Sequence, residues 1–216
     1  MATTMTMNRL IHAAVRRDFA RLLSGVGEVA DGDLGRARDL DRAYANLRRE
    51  LTHHHEGEDR WLWPMLAKVG VARELLAAME SEHQAMSAAM AETTDAMRRF
   101  ATTGSTSDRV NALESLVRTQ RVVEEHLTHE EEELEPALGP HHGSPEWKEA
   151  EKKLSRQPLS VAGPFMAWLE DGMSPEGRSF LRSTVPAPVT FILRRVFGRR
   201  YNREIAPVWR AVRSPR

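Results

Sequence analysis

Residues 51–64 read LTHHHEGEDRWLWP, and residues 125–136 read EHLTHEEEELEP. In each stretch a histidine precedes a glutamate by four residues, a second acid follows at once, and a proline stands six residues after the glutamate. The matching residues are His54, Glu58, Asp59 and Pro64 in the first, and His126, Glu130, Glu131 and Pro136 in the second. Residues four apart share one face of a helix, so each pair can present an imidazole and a carboxylate to one place. Proline halts or kinks a helix, so each pair sits near a helix end. The pairs His55/Asp59 and His129/Glu133 do not share this spacing to their prolines. The echo therefore selects His54 and His126, and leaves His53, His55 and His129 at the surface or behind a ligand.

Working outward, helical periodicity fills the chain from about residue 7 to about 137. Helices are predicted over about 7–28, 36–63, 71–101 and 107–135, separated by the breakers Asp31–Gly35, Gly70 and Thr102–Ser105. Strand-like alternation is absent. Four long helices with short connections predict an all-α fold, an up-down-up-down four-helix bundle. Stripes counted in steps of three and four are apolar except at His12, His54, Glu58, His83, His126 and Glu130. Trp61, Met65 and the Met79/Met86/Met90 series read as core.

Beyond residue 140 the prolines at 145, 158, 164, 175, 186 and 188 cut the chain into short elements. The expected organisation is a bundle over residues 1–140 and a C-terminal helical extension over 141–216 that packs on it. The two parts differ in charge. Residues 1–150 hold 18 Lys and Arg against 26 Asp and Glu, whereas residues 151–216 hold 13 against 5.

In an antiparallel bundle, residues equally far from a shared turn lie side by side. His12 lies about 16 residues before the first turn and His54 about 18 after it, each about 25 Å away at 1.5 Å per residue. The same arithmetic brings His83 and His126 to that level. A buried glutamate without a partner is costly. Two of them beside four imidazoles are explained by divalent cations, and an all-N/O donor set suits Fe, Mn or Zn. Six donors exceed what one tetrahedral ion uses, which favours two ions.

One His, then His-x3-Glu before a proline, then one His, then His-x3-Glu resembles the hemerythrin-like (HHE cation-binding) family over residues 7–138. The extension is similar to that of actinobacterial hemerythrin-like proteins. The resemblance implies a non-haem di-iron cofactor, two Fe ions bridged by oxo or hydroxo and by carboxylate, with Zn or Mn as substitutes. It implies that O2 or H2O2 is the small-molecule ligand. By position, His12 and His54 would serve one ion, His83 and His126 the other, and Glu58 and Glu130 would bridge. The oxygen-carrying members have a second histidine four residues after the first on the third helix. Here that residue is Ser87. The difference implies a more open site, suited to catalase-like or peroxide-reducing turnover, or to sensing of oxygen, redox state or iron, rather than to O2 storage.

The chain has 216 residues, no cysteine and a formal net charge of zero. The missing cysteine excludes disulfides, thiolate zinc sites and thiol nucleophiles, and fits a reducing, cytoplasmic setting. No signal peptide or membrane span is evident. A ferritin-like arrangement would use Glu50/His53 and Glu80/His83, but leaves His12 and His126 without a role. A metal-dependent regulatory protein, or a structural bundle filled with zinc, would carry the same donors. Nucleic acid is not an expected partner. The basic C-terminal region, with the amphipathic run Phe191–Phe197, is expected either to neutralise the acidic bundle or to contact a peripheral membrane or a protein.

Overall fold

The computed structural model describes residues 5–210, and among them every regular element is helical. Four helices are long: α1 (Met7–Gly27), α2 (Leu34–Gly57), α4 (Arg73–Thr103) and α5 (Thr106–His129). Their starts are fixed locally. The side chains of Thr6, Asp33 and Ser105 each accept a hydrogen bond from the backbone N–H three residues on, which satisfies a donor the helix cannot. Helix α4 ends on Gly104, whose φ of 64° closes the turn into α5. Gly32 N–H donates to Gly104 C=O at 2.9 Å, so the α1–α2 and α4–α5 turns lie together.

The long helices pack around a ring: α1 against α2 and α5, and α4 against α2 and α5. The second and fourth predicted helices are not continuous. At Glu58–Leu62 and again at Glu130–Leu134 the backbone opens into a π-turn, with Trp63 N–H bonded to Glu58 C=O and Glu135 N–H to Glu130 C=O. The chain then resumes as α3 (Trp63–Lys68) and α6 (Glu135–Leu138). Both π-turns begin at the echoed glutamates and end just before the echoed prolines. A proline ring collides with the carbonyl four residues back in an α-helix, and a wide turn relieves that collision. The extra residue also shifts the face that follows. Trp61, expected in the core, is instead half-buried with the cations of Arg60 and Lys153 over its ring, and Leu62, Trp63 and Leu66 are buried.

Two apolar clusters result. The larger joins α1, α2, α4 and α5 to the C-terminal part, through residues such as Phe19, Leu47, Met97, Trp168 and Tyr201. The smaller gathers Leu62, Leu66, Met79, Leu134 and Leu138. On α2, on α4 and at the two π-turns the predicted metal-binding residues fall between the two.

After residue 144 the chain forms α7 (Pro145–Ser155), α8 (Leu159–Glu170), α9 (Pro175–Thr184), α10 (Ala187–Ile192), a π-turn over Leu193–Phe197, α11 (Arg199–Glu204) and α12 (Ala206–Arg210). Helix α8 packs on α1. There the Trp168 indole N–H donates to the fully buried Asp18 carboxylate at 2.8 Å. Arg17 binds the other oxygen of Asp18 at 2.8 Å. A Cβ on Gly163 would stand 2.2 Å from Phe197 Cβ, so that glycine permits the close approach of α8 to the last π-turn.

Candidate metal centre

The polar layer draws its inward residues from all four long helices and from both π-turns. Helix α1 supplies His12, α2 supplies His54 and His55, the two π-turns open with Glu58 and Glu130, α4 supplies His83, and α5 supplies His126. Their potential ligand atoms form three overlapping groups, each with its atoms within 4.8 Å: His12, His54 and Glu130; His54, His55 and Glu58; and His55, His83 and His126. The six residues predicted from the sequence are thus gathered in one buried cluster with a seventh, His55.

The donor set fits a metal on the evidence of its own unmet bonds. His12 Nε2, His54 Nε2, His55 Nε2, Glu58 Oε2 and Glu130 Oε2 are all buried and have no hydrogen-bond partner, although His12 Nε2 lies 3.1 Å from Glu130 Oε2. Five such atoms in one place would be a severe defect in a core. As ligands they are all satisfied.

Three imidazoles are gripped from behind. His12 Nδ1 lies 2.8 Å from Glu131, His83 Nδ1 2.8 Å from Asp59, and His126 Nδ1 2.9 Å from Glu82. A carboxylate only accepts, so Nδ1–H donates and Nε2 is the nitrogen left to face the cluster. Asp59 and Glu131 stand directly after the echoed glutamates, so their position in the sequence points to them. Glu82, which also holds His129 at 2.7 Å, has no sequence signal beyond its place beside His83. Glu131 is itself held by Arg16 at 2.7 Å.

Charge is divided unevenly between the two buried glutamates. Burial and the neighbouring Glu130 charge push Glu58 well above the ordinary carboxyl value. Burial opposes ionisation of Glu130 as well, but His12, with Nε2 3.1 Å from Glu130 Oε2, together with His54 and His126 overcomes it and holds Glu130 below its ordinary value. Burial, then the adjacent imidazoles, lower His54 to about 3 and keep His55 well below the usual range. Both are therefore neutral near pH 7, the form that binds metals. His12 behaves differently. Burial lowers it, but Glu130 and Glu131 raise it further.

The expected peripheral placing of His55 is wrong. It is 5% exposed, its ring stacks on His83 with centroids 4.2 Å apart, and it meets His126 edge-on at 5.2 Å. The inward stripe of a helix is wide enough to hold two adjacent residues, so choosing His54 does not exclude its neighbour. His53 is half-buried and belongs to none of the groups. The ferritin-like arrangement loses its geometry, because Glu80 is exposed and Glu50 pairs with Arg49. Tyr44 is buried and donates to Met90 C=O at 2.8 Å, away from the cluster.

Among the described residues no helix is long and apolar enough to cross a membrane. No curated protein and no solved structure matches the chain. The family model for the hemerythrin HHE cation-binding domain matches residues 7–138, and the chain belongs to that family.

Proposed function

We propose that this protein is a cytoplasmic di-iron protein, built on an up-down-up-down four-helix bundle, that binds O2 or reacts with H2O2. His12, His54, Glu58, His83, His126 and Glu130 are its proposed metal-binding residues. The observation that carries this reading is the set of five partnerless buried donor atoms gathered in one cluster of imidazoles and carboxylates. Family membership supports metal binding, with iron the typical metal, and the nitrogen and oxygen donor set suits iron as it does Mn or Zn.

When bound, a pair of irons supplies the electrons for dioxygen or peroxide chemistry. The chain's own groups do the rest. Glu131, Asp59 and Glu82 fix the direction of three imidazoles, so little reorganisation accompanies loading. Glu58 holds a proton on its carboxyl group, and loading displaces that proton. The apolar side chains on either side exclude bulk water from the centre.

The test is to grow the protein with iron and measure metal content, the absorption spectrum, and the response to air and to hydrogen peroxide. Two irons per chain with a charge-transfer spectrum that changes on peroxide addition are expected. His54→Ala and Glu130→Ala should each lose most of the metal. Zinc in place of iron, with no optical response, would assign the site a structural role and overturn the redox reading.

A further inference from the structure

We infer that His55 is a seventh metal-binding residue, giving one of the two ions three imidazoles, from His55, His83 and His126. This rests on the proposed metal binding and specifies how the donors are divided. The position on the third long helix where a second imidazole would be sought, Ser87, is exposed; the buried residues there are His83, Met86 and Met90. Helix α4 therefore has a single imidazole to offer. His55 stands in the space beside it, with Nε2 buried and partnerless and a ligand atom within 4.8 Å of those of both His83 and His126. The internal echo breaks at this position, since the residue after His126 is Leu127, which is fully buried in the larger apolar cluster. A histidine facing the core where its counterpart is leucine is a cost to the fold unless its nitrogen is used. Of the other two groups, that of His54, His55 and Glu58 shares a member with each of the others, and that of His12, His54 and Glu130 holds two imidazoles, so the two ions are unequal.

The test compares wild type with His55→Leu, which copies Leu127, and with His55→Gln, which keeps a polar group of similar reach. Metal-free protein is titrated anaerobically with Fe(II), and the metal-free forms are melted in parallel. Wild type should take two ions. Both variants should keep one ion within about twofold of wild-type affinity and lose the second by more than the 10–100-fold that removal of a supporting partner brings. The metal-free variants should melt no lower than wild type. Two ions bound with wild-type affinities in either folded variant would overturn the assignment, as would equal weakening of both ions. A wild-type chain that takes up no metal would instead overturn the proposed metal binding itself.

The C-terminal helices carry an independent feature. Of the eight large apolar residues that are exposed among the described residues, six lie on α8, α10 and the last π-turn: Leu159, Val189, Phe191, Ile192, Val196 and Phe197. Residues 187–200 also contain four arginines and no acid. Arg195 and Arg199 are exposed and form no ion pair among the described residues, while Arg194 and Arg200 pair with Glu170 and Glu204. Apolar side chains next to unneutralised arginines match the two layers of an anionic lipid surface, acyl boundary and headgroup. We propose that this face binds anionic membranes reversibly.

Flotation with phosphatidylcholine vesicles, with and without phosphatidylglycerol, tests it. Wild type should float only with the anionic vesicles and be released by salt. Phe191→Ser/Ile192→Ser should abolish flotation, and each of Arg195→Gln and Arg199→Gln should weaken partition about fivefold. Absence of flotation at low salt would overturn the proposal. So would a dimer in light scattering that Phe191→Ser/Ile192→Ser dissociates, which would assign the face to a second copy of the chain.

Discussion

Asp59 Oδ1 accepts a hydrogen bond from His83 Nδ1 at 2.8 Å, and the residue before it, Glu58, turns into the buried cluster. The same division recurs at the second π-turn, where Glu130 faces the cluster and Glu131 holds His12. Each consecutive pair of acids thus supplies a donor from its own helix and orients an imidazole on another. Asp59→Asn and Glu131→Gln should each lower metal affinity about 10–100-fold without preventing the fold, because an amide can present its NH2 group to Nδ1 and disturb the tautomer. Metal titration of the two variants checks this. Wild-type affinity in both would leave these acids without a role at the centre.

Acid and neutral pH should act on the metal-free protein through different glutamates. Glu131 is held at about 2, against an ordinary 4.5; burial opposes this, but His12 and Arg16 prevail. Its stabilisation is present above about pH 4.5 and is lost as pH falls through 2. Glu58 is shifted the other way, so the folded chain holds a proton that the unfolded chain releases above 4.5. Its contribution therefore becomes unfavourable as pH rises from 4.5. Metal-free Glu58→Gln should melt higher than wild type at pH 7, with the difference shrinking towards pH 4.5, and should bind less metal. Melting curves across that range measure both directions.

Asp18 ties the C-terminal helices to the helix that carries His12. Its carboxylate has no solvent exposure and receives Trp168, Arg17 and Arg21. Asp18→Ala leaves the arginines without their buried counter-charge and should cost about 3–5 kcal/mol. Trp168→Phe loses the donor but keeps much of the packing, and should cost about 1–3 kcal/mol. Urea unfolding gives both values.

The four long helices and the six-residue cluster are legible in the sequence because periodicity and the His-x3-Glu echo are local. The level of His12 against His54 follows from counting residues to a turn. What stays hidden depends on space rather than spacing. Asp18 sits one residue from Phe19 in a core stripe, and its indole partner is 150 residues away. Glu82 has no motif of its own. His55 is passed over whenever one residue per turn is assigned to the stripe. The prolines signal helix stops, whereas the chain absorbs each with a widened turn and continues helical.

Those two prolines give the last prediction. In both π-turns the i-to-i−5 bond is donated by the residue immediately before the proline, Trp63 or Glu135. Alanine in place of Pro64 restores an N–H and removes the ring from the path of the Arg60 carbonyl, so an ordinary α-turn becomes accessible. An α-turn there would remove the extra residue and rotate Leu62 and Trp63 away from the smaller apolar cluster, or Glu58 away from the buried imidazoles. The two arrangements compete, and metal selects the widened one. Pro64→Ala and Pro136→Ala should each weaken metal binding about tenfold while leaving the metal-free protein within about 1 kcal/mol of wild type. Titration and melting of the same samples separate the two effects. Unchanged affinity in both variants would show that packing alone holds the widened turns, with no part for the prolines.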